Sequence, residues 1–61
     1  MSNADLAITL QQEHEEIFDN TVSDIELMKM ATNYALTDFD VSTKDANSIG
    51  REVLKLYEEV E

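Results

Sequence analysis

A scarcity of turn-forming residues constrains the fold of this chain more than any other feature. The 61 residues include no proline and a single glycine, Gly50. Chain reversals must therefore use Asn, Asp, Ser and Thr, which cluster only over 19–24 and 37–43. Two breaks in a chain of this length indicate one all-α domain, either a three-helix bundle or a helical hairpin with a third helix across it. The predicted helices cover about residues 3–19, 23–37 and 43–60.

Apolar residues recur at helical spacing along the first two predicted helices. On the first helix this face consists of Ala7, Leu10, His14, Ile17 and Phe18. On the second it consists of Leu27, Met28, Ala31, Tyr34 and Ala35, with Ile25 and Met30 beside it. We expect His14 at the edge of the core, whereas Met30 lies off the main stripe and would mark an exposed contact patch. Phe39 and Val41 are expected to close the end of the core.

The second helix carries the strongest local start signal. Ser23 and Glu26 have the spacing of a capping box, in which each side chain bonds to the other residue's backbone N–H. Val22 and Leu27 occupy the flanking positions of a hydrophobic staple. The sequence therefore predicts that this helix begins at Ser23 and that Val22 packs on Leu27.

The third predicted helix carries apolar residues in a seam, spaced alternately three and four residues apart. This seam consists of Ala46, Ile49, Val53, Leu56 and Val60. It can pack against the other helices or against its own copy, so a homodimer is an alternative to a monomer. Gly50 lies beside the seam, where glycine costs about 1 kcal/mol relative to alanine in a helix. We interpret it as a site of close helix approach, the alternative being a helix that starts only at Arg51.

A large excess of acidic residues points to the kind of partner. Fourteen Asp and Glu oppose four Lys and Arg, a net charge of -10, and the first twenty residues contain five acids without Lys or Arg. Antiparallel packing of the first two helices would place the acidic end of the first beside the start of the second. These acids either keep a small protein soluble or imitate phosphates and occupy a basic, nucleic-acid-binding site on another protein. The predicted partner-binding residues are Glu13, Glu15, Glu16, Asp19 and Asp24.

Residue content argues against catalysis and against cofactor or metal binding. The chain lacks cysteine, His14 is its only histidine, and one glycine cannot form a phosphate-binding loop. Asp38, Asp40 and Ser42 resemble the first positions of a calcium-binding EF-hand loop, but Thr43 replaces the glycine and Ile49 the bidentate glutamate. We therefore expect no enzymatic activity, no cofactor and no metal.

Charge and hydropathy also bear on membranes, nucleic acids and location. Residues 1–12 lack the basic and apolar regions of a signal peptide, and no apolar run approaches the roughly 20 residues that span a bilayer. Phosphates of nucleic acids and anionic lipids would be repelled by the excess of carboxylates. We expect a cytoplasmic protein that binds neither membranes nor nucleic acid directly, consistent with the lack of cysteine.

Together these features predict a small acidic regulator, an inhibitor that blocks a basic site on a partner protein. Small proteins that bacteriophages direct against host machinery share this size and acidity, which is a likeness of composition only. The alternative is a structural protein that self-associates through the third-helix seam, with the acids serving only solubility. Salt separates the two, because charge-based binding weakens as salt rises and apolar association does not.

Overall fold

A computed structural model of the chain describes residues 2–58 as an all-α fold. Its helices are α1 (Asn3–Glu13), α2 (Glu15–Asp19), α3 (Asp24–Asp38) and α4 (Thr43–Glu58). No β-strand occurs between residues 2 and 58. The predicted all-α class is confirmed, and Val60 of the predicted seam lies outside the described residues.

The first predicted helix is divided at His14, so a continuous helix over 3–19 is wrong at this point. His14 has φ −119° and ψ 27°, outside helical geometry, although its N–H still donates to the Leu10 carbonyl at 3.1 Å. Phe18 is the buried residue of α2, whereas Ile17, which the helical spacing also places on the apolar face, is 44% exposed.

A serine caps each of the three longer helices. Ser2, Ser23 and Ser42 accept hydrogen bonds from the backbone N–H three residues on, at 3.2, 3.4 and 3.1 Å. The half of the predicted capping box that uses the Ser23 side chain is confirmed, whereas the reciprocal hydrogen bond from the Ser23 N–H to the Glu26 side chain does not form within the described residues. The predicted staple is wrong, because Val22 is 98% exposed and makes no cover for Leu27, which is buried against other residues. The extended connection before α3 directs Val22 into solvent.

The core lies where α1, α2, α3 and α4 meet, and it is built largely from small residues. Its largest fully buried side chains are Phe18, Leu10, Ile49 and Val53. The rest of the buried core consists of Ala7, Leu27, Ala31, Ala35 and Ala46. Met30, Phe39 and Val41 are half-buried against this core. The closing role of Phe39 and Val41 is therefore confirmed, whereas Met30 as an exposed contact is wrong.

Gly50 brings α3 and α4 into close contact. It is buried inside α4, and a Cβ at this position would overlap Oγ1 of Thr32 and lie 2.9 Å from the backbone oxygen of Met28. The predicted close approach is confirmed, and a helix starting only at Arg51 is excluded because α4 begins at Thr43. The short connection over 39–42 makes α3 and α4 an antiparallel hairpin on which α1 and α2 pack.

The apolar seam of α4 is used within the chain. Ala46, Ile49 and Val53 are fully buried by the other helices, and Leu56 is half-buried. A homodimer through these residues stays a prediction, and three of its five contact residues are already covered in the monomer.

Candidate functional site

Carboxylates dominate the surface and few of them meet a basic group. Twelve of the fourteen acidic residues lie within residues 2–58, and eleven of these are exposed, Glu52 being half-buried. Over this part of the chain, two carboxylates approach a basic side chain: Glu52 reaches Lys55 at 3.4 Å and Asp38 reaches His14 at 2.7 Å. The other ten carboxylates of residues 2–58 form no salt bridge with Lys, Arg or His of this part of the chain.

Four of the predicted partner-binding residues lie on or next to α2. Glu13 ends α1, Glu15 and Glu16 form the first turn of α2, and Asp19 ends α2. All are exposed. The break at His14 thus gives Glu15 and Glu16 a position at the start of a helix, where negative charge is favourable, instead of the end of a longer one.

The predicted acidic array is not continuous, because Glu13 and Asp24 lie at opposite ends of α3. Polar atoms of Glu13, His14 and Asp38 all lie within 4.8 Å of one another, which places Glu13 beside the last residue of α3. Asp24 begins the same helix, and a rise of 1.5 Å per residue separates it from Asp38 by about 21 Å. The expectation that the whole acidic end of the first helix adjoins the start of the second is therefore wrong at Glu13.

A groove between α1, α2 and α4 combines apolar and acidic side chains. Its volume is about 460 Å³, and it is lined by Ile8, Gln11, Glu15, Asp19, Leu56 and Tyr57. Ile8 is 44% exposed there, and Leu56 and Tyr57 are half-buried. We call it the α1–α4 groove. It joins two of the predicted partner-binding residues, Glu15 and Asp19, to an apolar surface.

Tyr57 fixes one wall of this groove through two hydrogen bonds. Its hydroxyl donates to Oδ1 of Asp19 at 2.7 Å and accepts from Nε2 of Gln11 at 3.3 Å. Burial, followed by the hydrogen bond to Asp19, raises the pKa of Tyr57, and the charges of Asp19 and Glu15 add to this effect. The hydroxyl therefore stays protonated at neutral pH and ties α4 to α1 and α2.

His14 lies at the edge of the core, as predicted, and is held by α3. Its ring stacks on Tyr34 with centroids 3.9 Å apart, and its Nε2 shares a 2.7 Å hydrogen bond with Oδ2 of Asp38. One imidazole and the carboxylates of Glu13 and Asp38 are groups that bind transition metals. The hydrogen bond between His14 and Asp38 is by itself a sufficient reason for these groups to lie together, as a contact that stabilises the fold. Sequence reasoning missed it because Asp38 is 24 residues from His14.

A second depression, between α3 and α4, has the opposite charge. It has a volume of about 230 Å³ and is lined by Met28, Lys29, Thr32, Asn33, Asn47 and Arg51. It collects two of the four Lys and Arg residues, and no acidic residue of the described part of the chain lines it. The acidic character of the surface is therefore interrupted on this side of the helical hairpin.

The chain matches no family model, no curated protein and no solved structure. Among the described residues, no helix has both the length and the apolar character to cross a membrane.

Proposed function

We propose that this chain is a small acidic regulator that binds a partner protein and occupies its basic, nucleic-acid-binding surface. The observation that carries the proposal is the exposed group of carboxylates at Glu13, Glu15, Glu16 and Asp19, none of which forms a salt bridge within residues 2–58. These four acids fall within seven consecutive residues. A partner can bind these carboxylates without breaking a salt bridge to Lys or Arg within residues 2–58.

Charge density is the physical basis of the proposed competition. A DNA duplex presents one phosphate charge per about 1.7 Å of its axis, and proteins that bind it neutralise several phosphates with Lys and Arg. Carboxylates on one helical segment attract the same basic side chains and steer association from a distance. A partner whose basic residues contact this chain cannot use them on nucleic acid at the same time. We propose that this competition takes place in the cytoplasm and involves no catalysis.

A capture experiment at two salt concentrations tests the proposal. The tagged chain is used to retain proteins from a cell lysate at about 50 mM and 200 mM salt, and the retained proteins are identified by mass spectrometry. The partner should be a nucleic-acid-binding protein that is retained much less at the higher salt. Purified partner should then release a labelled DNA duplex when the chain is added.

Matched charge variants assign the surface. The variant Glu13→Gln, Glu15→Gln and Glu16→Gln should keep its fold and lose most of the partner. The control Asp5→Asn, Asp40→Asn and Glu58→Gln removes the same charge from exposed positions outside α2 and should lose much less. Equal retention by the two variants would reject this site, and undiminished retention by both would reject charge recognition.

The rival function, assembly through the α4 seam, has weaker support. Ala46, Ile49 and Val53 are covered within the chain, so self-association would need the remaining exposed apolar residues or a rearranged core. Sedimentation equilibrium at low and high salt decides between them. A dimer that persists or strengthens in high salt favours assembly.

A further inference from the structure

The α1–α4 groove offers two kinds of recognition at one place, which refines the class of partner. Resting on the proposed function, we infer that this groove receives an amphipathic, positively charged segment of the partner. Apolar side chains of that segment contact Ile8 and Leu56, while its Lys or Arg side chains approach Glu15 and Asp19. Recognition therefore depends on the order of apolar and basic residues in the segment, and not on its net charge alone.

The apolar part of the inference rests on Ile8. Within residues 2–58 it is one of five large apolar residues that are more than two-fifths exposed, the others being Ile17, Val22, Ile25 and Leu36, and of these five it alone lines the groove. Leu56 and Tyr57 extend the apolar surface beside it. Covering this surface removes apolar area from water, which favours a partner that brings apolar side chains.

Charge complementarity decides which occupant fits. Among residues 2–58, the charged residues that line the groove are Glu15 and Asp19, and both are acidic and exposed. A second copy of this chain would bring a net charge of -10 to the same place and would be repelled. A segment carrying Lys or Arg on its polar side satisfies these carboxylates, so the occupant is a basic segment of another protein.

The groove is organised before binding. Tyr57 holds Asp19 at 2.7 Å and Gln11 at 3.3 Å, so one hydroxyl joins three helices around it. The Asp19 carboxylate retains acceptor sites beyond the one occupied by Tyr57 and can accept from a Lys or Arg. Ordering the binding surface in advance reduces the entropy that binding must otherwise remove.

Designed peptides provide a direct probe. A peptide of about 18 residues built from Leu and Lys, with Leu confined to one helical face, is titrated into the folded chain. A second peptide has the same composition with the order of Leu and Lys scrambled. Affinity is measured by isothermal titration calorimetry, and the contact site by amide shifts in ¹⁵N-labelled protein. The ordered peptide should bind tighter than the scrambled one, with the largest shifts in residues of the groove.

Two isoleucines supply a matched pair of variants. Ile8 lines the groove and Ile17 does not, yet both are 44% exposed. Ile8→Ala should weaken the ordered peptide by about tenfold, whereas Ile17→Ala should change its affinity by less than about twofold. Circular dichroism verifies that both variants stay folded. Equal affinities of the two variants, or equal binding of both peptides to the unmodified chain, would overturn the groove assignment.

This test is separate from that of the proposed function. The peptide titrations decide whether the groove selects an apolar and basic pattern. Capture by the glutamine variants decides whether carboxylates of α2 recruit the partner. If the glutamine variant loses the partner but the ordered and scrambled peptides bind equally, the proposed regulator stands and the groove assignment is rejected. If Ile8→Ala clearly weakens the ordered peptide but the glutamine variant still captures the partner fully, the groove assignment stands and the charge-based regulator is rejected.

Discussion

Gly50 on α4 lies so close to Thr32 on α3 that a side chain at position 50 would overlap Oγ1 of Thr32. The backbone oxygen of Met28 limits the same space, at 2.9 Å from the position a Cβ would take. Rotation of the Thr32 side chain would not relieve this second contact, because the oxygen belongs to the backbone of Met28. The separation of the two longest helices is therefore set by the missing side chain of Gly50.

Gly50→Ala should destabilise the protein by up to about 2 kcal/mol, because overpacking costs about 1–3 kcal/mol and better helix propensity returns about 1 kcal/mol. Urea unfolding followed by circular dichroism measures the change. Asn47→Ala, at an exposed position of α4, is the control and should be neutral or slightly stabilising. Adding Thr32→Ala should restore only part of the loss, because Met28 remains in place. A Gly50→Ala protein more stable than the unmodified chain would contradict the packing described.

Tyr57→Phe should lower the free energy of unfolding by about 1 kcal/mol, because two hydrogen bonds between helices are lost. Tyr34→Phe is the matched control, since the hydroxyl of Tyr34 makes no hydrogen bond within the described part of the chain. That variant keeps its aromatic ring on His14 and should be nearly neutral. Equal losses in the two variants would show that the network around Tyr57 adds no stability.

Stability should fall in alkaline solution through Tyr57. Its pKa is raised in the folded protein by burial and by the hydrogen bond to Asp19, so the folded state holds this proton more tightly than the unfolded state. The resulting stabilisation is complete below the ordinary tyrosine pKa of about 10 and is lost as the pH rises through the raised value. Unfolding measured against pH should show this loss, and Tyr57→Phe should reduce it. Asp19→Asn should move the pKa of Tyr57 back toward its ordinary value in an ultraviolet titration.

Val22→Thr should change stability by less than about 0.5 kcal/mol, since Val22 is 98% exposed. Leu27→Ala, at a residue that is 4% exposed, should cost about 2–5 kcal/mol. Thermal unfolding of the two variants makes the comparison. A marked loss of stability in Val22→Thr would instead support the predicted packing of Val22 on Leu27.

His14 and Tyr34 should be energetically coupled. Their rings stack at 3.9 Å, and aromatic pairs of this kind contribute about 0.5–1.5 kcal/mol beyond burial. A double-mutant cycle with His14→Ala and Tyr34→Ala measures the coupling from urea unfolding. Additive effects of the two changes would mean that the stack itself contributes nothing.

Local rules predicted most of the helices. Ser23 and Ser42 cap the helices that follow them, and these caps depend on residues only three positions apart. The buried Ala46, Ile49 and Val53 follow from spacing along one helix. The close approach at Gly50 was predictable because a glycine inside a helix needs a compensating reason.

Contacts between distant residues account for what the sequence did not predict. The break at His14 accompanies its contacts with Tyr34 and Asp38, and spacing along α1 carries no information about them. The α1–α4 groove needs Ile8, Asp19 and Tyr57 from three helices. The partner-binding acids could be proposed from charge alone, but their separation from Asp24 required the packing direction of α3.

Phe18 is the one buried side chain of α2, a helix of five residues that is too short to persist without tertiary support. The Phe18 ring and the hydrogen bond from Tyr57 to Asp19 therefore hold α2 against the other helices. A change that removes either contact acts on the position of Glu15 and Glu16 without altering a carboxylate, so the geometry of this acidic segment is inherited from the core.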